Sequence, residues 1–134
     1  MNERYLYRGK RNDNGKWITG YIRQFNENQV CMFRYPYMSL DKGTWIDFST
    51  IGQFTGLRDK NGVLIFEGDI LLLSKTNPVK FIVSVEMGKN GYKTVWRYAD
   101  DGVVAGSGYF LDNLEIIGNI HDNPELMKGG GASG

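Results

Sequence analysis

The chain has 134 residues and nearly balanced charge, with 16 basic and 15 acidic side chains. This length fits one domain or two small lobes, and it buries enough surface to fold without disulfides. The net charge of +1 argues against a dedicated binder of duplex DNA, although it leaves room for a local basic patch. Cys31 is the single cysteine, and neither a signal peptide nor an apolar run of the ~20 residues that cross a bilayer is evident. We therefore expect a cytoplasmic protein with no membrane partner.

Aromatic residues at 13% and 18 glycines favour sheets and tight turns over long helices. Turn signals divide the chain into runs of strand length, and three of these signals contain Asn-Gly, the pair typical of hairpins. The predicted strands are Tyr5–Lys10, Lys16–Arg23, Gln29–Tyr35, Thr44–Phe48, Val63–Phe66, Asp69–Leu73, Val79–Glu86, Tyr92–Tyr98 and Leu114–Ile120. A single helical turn is predicted at 123–126, with Pro124 in its first position.

Short strands at this spacing are typical of a small barrel or sandwich. The fold class we predict is mainly β, with an antiparallel segment over residues 1–50 and an SH3-like barrel over residues 51–122. Residues 123–134 are predicted to form a C-terminal turn and a flexible glycine-rich tail, because the tail has almost no side chains to bury.

Five segments of the chain resemble the YopX family of small phage and prophage proteins. They are Tyr7–Arg11, Asn14–Trp17, Gly52–Gly62, Ile65–Ile70 and Ile117–Leu126. The resemblance spans nearly the whole chain and implies a β-rich fold with an SH3-like barrel in the C-terminal part. It also implies phage origin and action inside the bacterial host, infected or lysogenic. The resemblance implies neither an activity nor any particular binding or catalytic residue.

Acidic residues provide the first candidate for catalysis. Asp59, Glu67 and Asp69 supply the oxygen ligands that a divalent metal prefers. The structural alternative is that these carboxylates stabilise the turns around Gly62 and Gly68, and we favour it because aspartate commonly bonds its own turn. We predict no metal site here.

A nucleophile with its base is the second candidate for catalysis. Cys31 and His121 are the only thiol and imidazole, but Cys31 has the mid-strand position of a small buried hydrophobe. The glycine-rich segment 102–108 precedes no helix that could hold a phosphate, so we interpret it as a hairpin loop. We therefore predict that the protein is not an enzyme and uses no cofactor.

Interleaved aromatic and basic residues mark the best candidate surface. Small barrels bind nucleotides or single strands by stacking bases on such rings beside cations. The candidate binding surface comprises Phe33, Arg34, Tyr35, Tyr37, Trp45, Lys93, Trp96, Arg97 and Tyr98. The alternative, which we favour for Phe33, Trp96 and Tyr98, is that these rings belong to the core or to an oligomer interface.

Two binding functions follow. The first is a phage accessory protein that binds a host or phage macromolecule, a protein in particular, through a barrel face or a sheet edge. Free edges also favour a homo-oligomer. The second is a binder of nucleotides or single-stranded nucleic acid, including one that sequesters a bacterial defence signal.

Overall fold

The computed structural model describes residues 5–33, 43–73, 78–106 and 113–127. The chain forms two compact units, Met1–Phe54 and Thr55–Gly134. The described residues form antiparallel strands in two sheets: β1 Tyr7–Lys10, β2 Trp17–Gln24, β3 Val30–Phe33, β4 Thr44–Ile46, β5 Gly52–Arg58, β6 Leu64–Phe66, β7 Asp69–Leu72, β8 Lys80–Gly88, β9 Gly91–Tyr98, β10 Val104–Gly106 and β11 Glu115–Asn119. The division predicted after residue 50 lies just before β5, which begins in the first unit and ends in the second.

The first unit is organised around the β1–β2 hairpin. Its strands follow the order β4-β3-β2-β1, and the start of β5 then pairs with β1. Lys10 lies opposite Trp17, and the turn between them ends at Gly15, whose φ of 72° is in the left-handed region that favours glycine. Asn14 supports this turn by accepting a hydrogen bond from the backbone N–H of Lys16 at 2.9 Å. The local sequence therefore fixes the register of the hairpin.

Strand β4 is hydrogen-bonded on both of its sides. It pairs with β3 in the register Cys31 opposite Trp45. Its other side faces the end of β1, where the N–H of Asn12 donates to the carbonyl of Trp45 at 3.0 Å and the N–H of Asp47 donates to Lys10 at 2.8 Å. The sheet of this unit therefore curls enough for β4 to contact β1 as well as β3.

One face of this curled sheet carries the core of the first unit. Its buried members are Val30, Met32 and Ile46, and Tyr7, Ile18, Ile22 and Ile51 pack against them. Gly20 is required where the strands approach closely, because a Cβ there would overlap the carbonyl oxygen of Phe33.

The second unit contains the end of β5 beside β6 and a sheet in the order β10-β9-β8-β7-β11. Its longest hairpin joins β8 to β9, from Phe81 opposite Tyr98 to Gly88 opposite Gly91. The buried core lies among these strands: Ile65, Leu71, Phe81, Val83, Trp96 and Leu114. The alternating pattern of β8 explains this burial, since Phe81 and Val83 share the face that is turned inward.

The structure confirms the mainly β fold class and the predicted strands within the described residues. It corrects two details. The strand predicted over Thr44–Phe48 ends at Ile46, because Asp47 accepts a hydrogen bond from the N–H of Ser49 and caps a 3-10 helix at Phe48–Thr50. The segment 102–108, predicted as a loop, contains β10, which extends the sheet by pairing Val104 with Arg97.

Strand β5 is not among the predicted strands, although it lies within the segment Gly52–Gly62 that resembles the YopX family. The helical turn is present as a 3-10 helix at Pro124–Met127. The described strands show no closed barrel, so the SH3-like barrel stays a prediction. No helix among the described residues has the length and apolar character needed to cross a bilayer.

Candidate binding surface

The side chains on the outer face of the first unit form the best candidate site. Strand pairing places Lys10 beside Trp17, and it places Arg23, Cys31 and Trp45 side by side, all opposite to the core residues. We call this surface the aromatic–cationic face, and its members are Arg8, Lys10, Trp17, Arg23, Phe25 and Trp45.

Trp17 forms one part of the aromatic–cationic face. The guanidinium carbon of Arg8 lies 4.8 Å from the centroid of the half-buried Trp17 ring, and Nζ of Lys10 lies 5.3 Å from it. Contacts of this kind stabilise a protein by about 0.5–1 kcal/mol each at exposed sites. They hold two positive charges close to one ring.

Trp45 forms the other part, and its ring is the most accessible of the three tryptophans. Its side chain is 49% exposed and lies 5.6 Å, between ring centroids, from that of Phe25, which is 46% exposed. The guanidinium carbon of Arg23 lies 5.4 Å from the Phe25 centroid. The backbone of Trp45 is hydrogen-bonded on one side to β3 and on the other to Asn12, so its solvent-exposed ring is attached to a well-fixed backbone.

Charge is divided unequally between the two units. Residues 1–54 carry eight basic and five acidic side chains, a net charge of +3, whereas residues 55–134 carry eight basic and ten acidic side chains, a net charge of −2. The near-neutral total therefore hides a basic first unit. An anionic partner is attracted to this unit more strongly than the net charge of the whole chain indicates.

The structure removes two rings from the predicted surface. Phe33 is 2% exposed and Trp96 is 4% exposed, so neither can stack on a ligand. Trp96 lies in the core of the second unit, with its ring 6.5 Å from that of Phe81. Phe33 points away from the main core but is covered by Gly43, where an added Cβ would meet the Phe33 ring at 2.7 Å. The burial of both rings agrees with the alternative that these residues belong to the core or to an interface.

The other predicted residues of β9 belong mainly to contacts within the second unit. The ring of Tyr98 lies 5.4 Å from that of Phe81. Arg97 Nη1 donates to Ser84 Oγ at 3.0 Å and to Glu86 Oε2 at 2.5 Å. The hydrogen bond from Arg97 lowers the pKa of Glu86, and Glu86 in turn raises the pKa of Arg97. Lys93 is exposed and lies opposite Glu86.

Trp45 is therefore the predicted ring that the structure leaves open to solvent. The predicted residues Arg34, Tyr35 and Tyr37 lie outside the described residues. Strand alternation could have identified the additional members of the aromatic–cationic face. Once the Asn-Gly turn sets Lys10 opposite Trp17, Arg8 on β1 and Arg23 on β2 share their face, because they lie two and six positions away.

The acidic cluster has structural partners. Asp59 Oδ1 accepts hydrogen bonds from the backbone N–H groups of Asn61 at 2.8 Å and Val63 at 3.0 Å, and Oδ2 accepts from Ile116 at 3.1 Å. Asp69 Oδ2 accepts from the N–H of Phe66 at 2.8 Å. Within the described parts of the chain, no group of three histidine, cysteine or acidic residues could hold a metal ion.

The thiol and the imidazole occupy different units. Cys31 is buried in β3, and burial raises the pKa of its thiol, the opposite of what an activated nucleophile requires. His121 lies in the turn that follows β11, where its backbone N–H donates to Asn119 Oδ1 at 2.9 Å. Its buried environment favours a structural role for Cys31.

Comparisons with known proteins agree with this architecture. Protein EF1440 from Enterococcus faecalis has a crystal structure similar to this one, with a TM-score of 0.57, 22% sequence identity, and coverage of 91% of this chain and 96% of that chain. At this identity the likeness concerns the fold alone. A search of curated proteins found no match. The family described as "YopX protein" matches residues 6–128. The chain therefore belongs to the YopX family.

Proposed function

We propose that this chain is a non-enzymatic binding protein that holds a macromolecule on the aromatic–cationic face of its first unit. The observation that carries the proposal is the open ring of Trp45, which packs against Phe25 beside the cation of Arg23. Tryptophan, tyrosine and arginine are the residues enriched at binding hot spots.

A face fits this role better than a sheet edge does. Strand β4 already forms hydrogen bonds on both sides, so it offers no free ladder to an added strand. The sheet of the second unit ends in β10 and β11, and the pairing of each contains a register shift. Short and bulged edge strands resist pairing with another chain.

The setting of this function is part of the proposal. The YopX resemblance supports action in the cytoplasm of an infected or lysogenic bacterium, on a macromolecule of the host or the phage. The non-enzymatic assignment rests on the structural roles of Asp59, Asp69 and Cys31. We keep the SH3-like barrel in the second unit and a homo-oligomer as further parts of this proposal.

Co-purification from a bacterial host tests the proposed function. The wild-type chain and Trp45→Ala are expressed at equal levels and purified gently, and the retained protein and nucleic acid are both quantified. Tyr92→Ala is the matched control, because Tyr92 is an exposed aromatic residue of the second unit, at 67% exposure. We expect Trp45→Ala alone to lose the retained macromolecule. Equal retention by all three proteins, or a loss with Tyr92→Ala instead, would contradict the proposal.

A further inference from the structure

We propose that the aromatic–cationic face binds single-stranded nucleic acid, an inference that rests on the proposed function and names its ligand. Two requirements define such a site: rings that stack on bases, and cations that neutralise phosphates. Trp45 and Phe25 supply the rings, and Arg23 supplies a cation beside them. Lys10 and Arg8 supply further positive charge on the same outer face.

Charge complementarity favours a polyanion as the occupant. The first unit has a net charge of +3, whereas the second has a net charge of −2. The exposed rings of Trp45 and Phe25 therefore lie in the basic unit of an almost neutral chain. A hydrophobic peptide would use the rings but gain nothing from this charge. An acidic peptide would use the charge but present no flat aromatic surface to Trp45.

The geometry favours a single strand over a duplex. The ring centroids of Phe25 and Trp45 are 5.6 Å apart and the ring planes are inclined at 57°, whereas the bases of a duplex are stacked in parallel at about 3.4 Å per step. Rings at the wider spacing can reach base faces only where bases are unstacked from each other. Duplex bases hide those faces, and the chain lacks the large basic excess that duplex binding requires.

The site is organised before a ligand arrives. The turn that carries Phe25 is closed by a hydrogen bond from its N–H to the carbonyl of Gln29 at 2.8 Å. Within this turn, Asn26 Oδ1 accepts from the N–H of Asn28 at 2.9 Å. Backbone pairing fixes Trp45 independently. The protein backbone therefore loses little conformational entropy when a strand of nucleic acid stacks on these rings.

Anisotropy titration of fluorescein-labelled oligonucleotides with the purified full chain tests this inference, because a labelled probe also reports the affinity of variants that lack Trp45. The probes are 12-nucleotide oligo-dT and oligo-rU, the matching duplexes, and a cyclic dinucleotide. We expect the single strands to bind more tightly than either duplex. Stacking on one ring predicts a 5- to 150-fold weaker affinity for Trp45→Ala, with Trp45→Phe in between.

The salt dependence provides a second readout. Three phosphate contacts predict that the logarithm of the affinity falls with the logarithm of salt concentration with a slope of about −2 for a single strand. Arg23→Gln should make this slope shallower by about 0.7. Lys89→Gln, which removes an exposed cation from the second unit, should leave the slope unchanged. Melting curves verify that each variant is folded.

Each remaining outcome overturns the inference. Tighter binding of duplexes, preference for the cyclic dinucleotide, or equal affinity of Trp45→Ala and wild type would contradict it. If no oligonucleotide binds but Trp45→Ala still loses a protein during co-purification, the ligand class is wrong and the proposed function stands. If neither the co-purification nor the oligonucleotide binding depends on Trp45, both the proposed function and this inference are wrong.

Discussion

Replacing Asp59 with asparagine perturbs a carboxylate that connects its own turn to a distant strand of the second unit. The carboxylate accepts three backbone N–H groups, two in its own turn and one from Ile116, which lies 57 positions along the chain. Asparagine keeps one oxygen and adds an amide N–H₂ group. In either orientation of the amide, at least one of the three N–H groups faces a donor in place of an acceptor.

The magnitude follows from the burial of these groups. Asp59 is only 7% exposed, so in either orientation of the amide the N–H group that loses its acceptor faces a buried donor that water does not readily replace. A buried donor that loses its partner costs about 1–3 kcal/mol. We therefore expect Asp59→Asn to lower the free energy of unfolding by about 1–3 kcal/mol.

Urea unfolding followed by circular dichroism measures this loss. Asp101→Asn is the matched control, because Asp101 Oδ1 accepts from the exposed N–H of Val103 at 2.9 Å without any long-range partner. This control should change the free energy of unfolding by less than about 0.5 kcal/mol. If Asp59→Asn costs no more than Asp101→Asn, the reasoning about the three backbone bonds of this buried carboxylate is refuted.

Three further predictions concern the core, the sheet and pH. Trp96→Ala should lower the free energy of unfolding by about 3–5 kcal/mol because its ring is buried, whereas Trp45→Ala should change it by less than about 1 kcal/mol; equal losses in urea unfolding would contradict these locations. Gly20→Ala should destabilise the first unit by about 1–3 kcal/mol because its Cβ meets the backbone of Phe33, whereas Gly88→Ala, with its nearest contact at 3.3 Å, should cost less; a larger loss for Gly88→Ala would refute this. Arg97 lowers the pKa of Glu86 in the folded state, so the pair contributes its stability above the ordinary pKa of glutamate and loses it as the pH falls through the lowered value. The difference in urea midpoint between wild type and Glu86→Gln should shrink on acidification, and a constant difference would exclude this linkage.

Local signals in the sequence predicted most of the strands. Turns that end in glycine, such as Gly15 and Gly62, set the boundaries, and alternation along β8 and β9 identified the two faces. β5 was missed because Gly52–Arg58 contains two glycines and no sustained alternation. Its pairing with β1 depends on long-range contacts that propensity does not encode.

The candidate site was predicted less completely, because exposure depends on packing between distant strands. Phe33 and Trp45 carry similar local signals, yet Phe33 is covered by Gly43 and Trp45 is open. Arg8 and Trp17 were hidden for another reason, since their contact requires the register of a hairpin as well as its existence. The unequal charge of the two units was available from the sequence, because the division predicted after residue 50 gives the same net charges as the boundary after Phe54.

In-cell photo-crosslinking tests the central claim most directly. Trp45 is replaced by the photoreactive residue p-benzoylphenylalanine in one variant and Tyr92 in another, and both are irradiated in living bacteria. If the aromatic–cationic face holds a macromolecule, the probe at position 45 forms a cross-linked product and the probe at position 92 does not. Products from position 92 alone, or the same products from both positions, would contradict the assignment of the binding surface to the first unit.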